Sequence, residues 1–236
     1  MLKNIFYPTA QNAFIWISTI YLLVLLFLEK VNPMTILFVY FLETIVIGIF
    51  NALKMFWSIT FDKSDKKSYA LILFFLFHYG FFVAIQSIFG FAIFSIADNA
   101  LIKEPFYLIE NYGKILALKD IKYALPAILI MHLGLFFTDY LKNKKYLKFS
   151  AQEIMFKPYV RIFVQQFVVI LSFFFIVFAE AGMVAAILLI FFRLLIDLVL
   201  ASVKENSKTL DILAEKMANE KASKEEIKKQ LITMTE

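Results

Sequence analysis

Long uninterrupted apolar runs constrain this chain more than any other feature of its sequence. Hydrophobic residues make up 61% of the 236 residues, and phenylalanine alone accounts for 29 of them. A soluble domain is typically about 45–50% apolar, and the excess here lies in continuous runs rather than in an alternating pattern. A run of about 20 apolar residues matches the hydrocarbon core of a bilayer. The runs therefore predict an all-α integral membrane protein.

Six runs have this character, which predicts a bundle of six transmembrane helices. They cover residues 13–28, 34–57, 69–96, 121–141, 160–179 and 183–203. The first run is short, and the chain would have five crossings if that run lay along the membrane surface. We expect a transmembrane domain at 1–203 and a charged cytoplasmic tail at 204–236. Apolar residues recur on one helical face of the tail and Ser223 begins a capping-box pattern, so helices are expected there.

The distribution of lysine and arginine predicts the orientation of the bundle. With six crossings, one side of the membrane carries 18 of the 24 basic residues and the other side carries five, while Arg193 lies within a run. Basic loops are retained on the cytoplasmic side. We therefore expect a multi-pass protein of the cell (inner or plasma) membrane with both termini in the cytoplasm. The basic segment 142–157 is expected to attract anionic lipid, and we expect no nucleic-acid partner.

Several ionisable residues lie inside the apolar runs, where each costs on the order of 2.5–3.5 kcal/mol unless it finds a partner. A helical rise of about 1.5 Å per residue places most of these polar groups in the cytoplasmic half of the bundle. The same count places Glu43 nearer the outer half. Arg193 and Asp197 are four residues apart on one helical face. This spacing predicts that Arg193 pairs with an acidic group, with Asp197 the nearest in sequence.

A ligand site is predicted from the polar groups of the inner half and its cytoplasmic boundary. Its members are Asn51, His78, His132, Arg161, Gln166, Arg193 and Asp197, and the other intramembrane polar residues are Glu43, Lys54 and Asp139. Two interpretations remain open. The groups either bond to one another and hold the helices together, or they line a hydrated cavity that binds or conducts a small solute, ion or lipid headgroup.

Other function classes have less support in the sequence. The chain has no cysteine, which excludes disulfides and thiolate metal sites. His78, His132 and Glu43 offer a two-histidine, one-carboxylate ligand set, but no spacing motif accompanies them, so we expect no metal and no cofactor. An intramembrane enzyme using Glu43 or a histidine as acid or base lacks a nucleophile motif. The stronger alternative is a non-catalytic accessory or scaffold subunit that binds a protein partner or a second copy.

Four strings carry a resemblance to a known family when taken in order. They are Phe41-Leu42-Glu43-Thr44, His78-Tyr79-Gly80-Phe81-Phe82, Pro158-Tyr159-Val160-Arg161-Ile162, and Asp197 in the last run. Together they resemble an uncharacterised family of polytopic bacterial and archaeal membrane proteins, the domain of unknown function 6498. The resemblance covers roughly residues 34–203. It implies a six-helix membrane architecture and supplies no mechanism.

Overall fold

The computed structural model describes residues 6–9, 12–62, 68–97, 101–177, 182–203, 207–218 and 223–235. Nine α-helices and no strand occur within these residues. The helices are α1 (Ala13–Phe27), α2 (Pro33–Phe61), α3 (Ala70–Ala97), α4 (Leu108–Ala117), α5 (Ile121–Leu135), α6 (Ala151–Val177), α7 (Gly182–Ser202), α8 (Lys208–Met217) and α9 (Lys224–Thr235). A π-helical turn (Phe136–Leu141) extends α5, and a short 3-10 turn (Lys145–Leu147) precedes α6. The predicted all-α class is confirmed.

Within the residues that the structure describes, four helices are long and apolar enough to cross a membrane. They are α2, α3, α5 with its π-helical extension, and α7. Helix α1 is also apolar, but its 15 residues fall short of the roughly 20 that span a bilayer core. Helix α6 carries no charged residue from 162 to 177. The fold is thus compatible with a membrane-embedded bundle, and the number of six crossings remains a prediction.

Helix α2 is the central helix of the bundle. In the most apolar stretch of α2, 72% of the residues are buried, whereas in that of α3 only 22% are buried. Helix α3 therefore lies at the periphery. The Asn32 side chain accepts a hydrogen bond from the Thr35 amide at 2.7 Å, and Pro33 is the first helical residue. Both are favoured choices at a helix start. Asp120 accepts two hydrogen bonds from Asn32 at 3.1 Å, which fixes the start of α2 beside the start of α5.

Hydroxyl groups and glycines hold α2 close to its neighbours. The Tyr40 hydroxyl donates to the Leu189 carbonyl of α7, and the Tyr79 hydroxyl of α3 donates to the Thr44 carbonyl at 2.8 Å. The Tyr79 ring lies directly against Gly48, where any Cβ would overlap it. These contacts place the middle of α2 between α3 and α7.

The C-terminal helices α8 and α9 form a pair. Lys228 bridges to Asp211 at 2.7 Å, and Lys224 bridges to Glu215 at 3.1 Å. The predicted capping box at Ser223 is confirmed, since its amide donates to the Glu226 carboxylate at 2.8 Å. Helix α9 also packs against α6, and Ile227 is buried. The expected helices of the tail are therefore present, and they return to the bundle.

Candidate functional site

Glu43, on α2, is the centre of a buried charge network. The other members of this network are His132, Arg161, Arg193 and Asp197. The Glu43 side chain has no exposed surface. One carboxylate oxygen, Oε1, lies 3.0 Å from Arg161 Nη2, from Arg193 Nη2 and from His132 Nε2. The other oxygen, Oε2, accepts from Arg193 Nε at 2.8 Å. A carboxylate can only accept, so His132 carries its proton on Nε2 here. Donors from three other helices thus saturate the carboxylate of Glu43.

All three guanidinium nitrogens of Arg193, on α7, contact other residues of the bundle. Its fork contacts both oxygens of Glu43, the two-point geometry in which guanidinium and carboxylate bind most strongly. Nη1 donates to the Ser18 hydroxyl oxygen at 3.3 Å, and Nη2 lies 3.2 Å from the sulfur of Met131. The guanidinium carbon also lies 5.9 Å from the centre of the Tyr40 ring. This arrangement connects α7 to α1, α2 and α5.

Asp197 and Arg161 form the less saturated edge of the network. Arg161 Nη2 lies 2.6 Å from Asp197 Oδ1, and Arg193 Nε lies 3.8 Å from Asp197 Oδ2. Asp197 is buried, yet neither of its oxygens accepts a hydrogen bond of good geometry from the described residues. The side chain of Arg161 is 15% exposed, more than any other member of the network. The network therefore reaches its surface at Arg161.

The network balances its charges with two guanidinium groups and two carboxylates. Removing single charges from water costs several kcal/mol per ion, and a pair offsets this cost only when its geometry is good. The short contacts around Glu43 meet that requirement. The arrangement can therefore hold helices α2, α5, α6 and α7 together, and it can present a guanidinium edge to a polar group that approaches from outside.

The structure brings together four of the seven residues predicted as a ligand site. These are His132, Arg161, Arg193 and Asp197. Asn51 instead donates to the carbonyl of Ile154 at 3.1 Å. His78 Nδ1 lies 2.6 Å from the Tyr159 hydroxyl. The side chain of Gln166 lies outside the described residues.

The expected separation of Glu43 from the inner-half residues is wrong, because Glu43 contacts His132 and both arginines directly. The estimate of depth in the membrane from the helical rise assumed that every helix starts at the membrane edge and stands upright. Arg193 does pair with an acidic group as predicted, but its nearest partner is Glu43 rather than Asp197.

Lys54 and Asp139 make contacts of their own elsewhere in the bundle. The Lys54 carbonyl accepts from the Tyr140 hydroxyl at 2.6 Å, and its ammonium group lies 5.7 Å from the centre of the Tyr140 ring. Asp139 accepts from Lys145 at 2.9 Å. Lys145 is buried despite its place in the basic segment, and sequence reasoning did not single it out. Ser18 was also missed, since one hydroxyl in an apolar run gives little signal.

The structure adds no support for a metal centre. In the part of the chain that the structure describes, no three histidine, cysteine or acidic side chains are grouped so that they could hold a metal ion. Of the proposed ligand set, His132 and Glu43 are together, whereas His78 contacts Tyr159. The carboxylate of Glu43 is already occupied by arginine donors.

The sequence as a whole matches the model of a family of unknown function, DUF6498, over residues 1–225. The chain belongs to this family. The DUF6498 region includes every member of the charge network, and it also includes helices α1 and α8, which lie outside the resemblance noted above. No curated protein and no solved structure matches the chain significantly. Membership in DUF6498 supplies no activity, so the function has to be inferred from the geometry.

Proposed function

We propose that the protein is a multi-pass membrane protein without catalytic activity, and that Arg161 binds an anionic group at the edge of the charge network. The group is either a free anion or the headgroup of an anionic lipid, since both offer the same oxygen acceptors. The supporting observation is the geometry of Arg161. Its Nη2 lies 3.0 Å from Glu43 and 2.6 Å from Asp197, and its side chain, 15% exposed, is the most exposed of the charged members of the network.

The apolar surface supports the membrane location. Phe77 and Leu73 on α3 are 81% and 70% exposed, and many other large apolar side chains are exposed with them. Extended apolar surface of this kind is unfavourable in water and is suited to lipid or to a partner protein.

The basic segment before α6 supports an anionic ligand. Lys142 and Lys144 are exposed there, and Arg161 lies in α6, the helix that follows.

Binding has more support than acid–base catalysis. A general base needs a free acceptor within reach of the proton it removes. Arginine and histidine donors occupy both oxygens of Glu43, and His132 uses Nε2 to contact Glu43. The two arginines therefore favour electrostatic binding as the role of this site.

A second candidate function is that of a structural subunit, and one observation favours it. The members of the network largely satisfy one another, as expected for polar groups that hold helices together. In that case the balanced charges of the network would need no ligand to complete them, and the exposed surfaces would serve partner binding. The response of the protein to anions separates the two functions.

The test is a thermal-stability measurement on purified protein in nanodiscs. One series compares phosphatidylglycerol with phosphatidylcholine, and another adds inorganic phosphate to phosphatidylcholine discs. We expect an anion to raise the Tm of the native protein and to have little effect on Arg161→Gln, each measured against its own anion-free value. Stabilisation by phosphate indicates a free anion, and stabilisation by phosphatidylglycerol alone indicates a headgroup.

Lys142→Gln is the matched control, because it removes a basic charge outside the network. It should keep the anion response of the native protein. Loss of the response in Lys142→Gln as well would show general attraction to the basic segment rather than a site at Arg161. No stabilisation of the native protein by either anion would overturn the binding proposal and favour the structural subunit.

A further inference from the structure

A groove of about 190 Å³ lies between helices α1 and α5. It is anchored at both ends. At one end, a Cβ on Gly134 would lie 2.6 Å from a ring carbon of Phe14, so the two helices are in close contact there. At the other end, the Tyr21 hydroxyl donates to the Tyr123 carbonyl at 3.1 Å. The groove is therefore a defined feature of how α1 and α5 pack.

Pro126 and Ala127 of α5 line the groove between these anchors. Pro126 lines the groove and lacks a backbone N–H, which removes a helical hydrogen bond and is a common cause of bending. Ala127, beside it, also lines the groove and fills little volume. A helix with a larger residue at 127 would close much of this space.

The lining of the groove is apolar apart from the hydroxyl groups of Ser18 and Tyr21. Within the described part of the chain no charged side chain lines it, and the Tyr21 hydroxyl is engaged at the anchor. An anion or a hydrated solute would lose its water there without gaining a charged partner. The flanking residues Ile17 and Ile130 are 61% and 57% exposed, so the groove opens on an apolar surface. An apolar chain is the ligand that this chemistry accepts.

We infer that the groove holds the end of an acyl chain from a membrane lipid. The inference rests on the membrane location proposed above and does not depend on anion binding at Arg161. On the apolar face of a membrane helix, hydrocarbon chains are the groups available to fill a groove. A filled groove also restores the dispersion contacts that an empty one lacks.

The acyl chain would also affect the charge network. Ser18 and Met131 line the groove, and both contact the guanidinium of Arg193, at 3.3 and 3.2 Å. Hydrocarbon against these two residues keeps water away from Arg193. Ion pairs strengthen as the local dielectric falls, so lipid in the groove stabilises the contact between Arg193 and Glu43.

Photolabelling with a phosphatidylcholine that carries a diazirine near the end of one acyl chain tests the inference. The full-length protein is placed in phosphatidylcholine vesicles with a small fraction of this lipid, and labelled residues are identified by mass spectrometry. Ser18 and Met131 are only 3% and 1% exposed. A chain inside the groove should label them, whereas lipid on the outer surface reaches only exposed residues such as Phe77.

The variant Ala127→Trp fills the groove and should lose labelling at Ser18 and Met131 while keeping labelling at Phe77. Ala84→Trp, on α3, is the matched control and should leave the groove labels unchanged. If Ala127→Trp does not give a monodisperse protein, Ala127→Leu makes the same comparison with a smaller side chain.

Two results would overturn the inference. Labelling of Phe77 and Ile130 without Ser18 and Met131 would show surface lipid only. Groove labels that persist in a folded Ala127→Trp protein would show that the chain reaches these residues by another route. Absence of label at Phe77 as well would instead contradict the membrane location.

Discussion

Arg193 and Glu43 form a two-point ion pair, with Nε donating to Oε2 at 2.8 Å and Nη2 donating to Oε1 at 3.0 Å. The two residues are 150 positions apart in sequence. Their contact fixes α7 against the middle of α2, and His132 and Arg161 complete the coordination of the carboxylate. The position of Glu43 therefore organises three of the helices that surround α2.

The first prediction concerns the coupling of this pair. Arg193→Leu or Glu43→Leu alone should destabilise the protein by about 3–5 kcal/mol, because each leaves a buried charge without its partner. The double change should be milder than the sum of the two single changes. Thermal or denaturant unfolding in detergent, analysed as a double-mutant cycle, measures the coupling.

A parallel cycle with Asp197 is the control for that experiment. Arg193 Nε lies 3.8 Å from Asp197, compared with 2.8 Å from Glu43. We therefore expect weaker coupling between Arg193 and Asp197. Additive effects of the Arg193 and Glu43 changes would contradict the pairing seen in the structure.

The second prediction concerns the contact between α2 and α3 at Gly90. A Cβ on Gly90 would overlap the ring of Phe41, which is fully buried. Gly90→Ala should therefore lower the free energy of unfolding by about 1–3 kcal/mol, the usual cost of overpacking. Gly80→Ala, on the same helix, is the control, because nothing lies within 4 Å of a Cβ there. That change should be neutral or stabilising by up to about 1 kcal/mol.

The third prediction is the topology, which rests on the asymmetry of the basic residues. The native chain has no cysteine, so single cysteines can be labelled without background. Tyr7→Cys, Lys142→Cys and Met217→Cys should react with a membrane-impermeant maleimide from the cytoplasmic side, and Tyr107→Cys from the outside. All four native residues are exposed. Labelling of positions 7 and 142 from opposite sides would mean that one of the six crossings is absent.

The fourth prediction is a pH dependence of the α8–α9 pair. The Lys228 ammonium donates to Asp211 and holds the pKa of that carboxyl below its usual value of about 3.9. A lowered pKa stabilises the folded pair above that usual value, and the stabilisation disappears as the pH falls through the lowered pKa. Hydrogen exchange of α9, corrected for intrinsic rates, should therefore show less protection at pH 3 than at pH 6.

Asp211→Asn should remove part of that protection at pH 6 and reduce its change with pH. Glu110→Gln is the control, since Glu110 lies on α4 and pairs with Lys114. That variant should behave like the native protein. An unchanged pH response in Asp211→Asn would show that the Lys228 contact does not set the stability of the pair.

Hydrophobic patterning determined much of the helical architecture. The apolar runs predicted the positions of α2, α3, α5 and α7 to within a few residues, and the capping box at Ser223 marked the start of α9. These features are local, because the side chains that specify a helix and its start lie within a few residues of one another. The cost of an isolated charge also predicted that Arg193 would have an acidic partner.

Only the tertiary structure decided which acidic residue is the nearest partner of Arg193. Helical spacing favoured Asp197, four residues away, whereas the packing of α7 against α2 brings Glu43 closer. The groove between α1 and α5 has the same origin, since it depends on how Phe14 meets Gly134 across two helices. Sequence periodicity gives the face of a helix on which a residue lies. It does not give the tilt, offset and neighbours of that helix, because these depend on contacts between segments far apart in the chain.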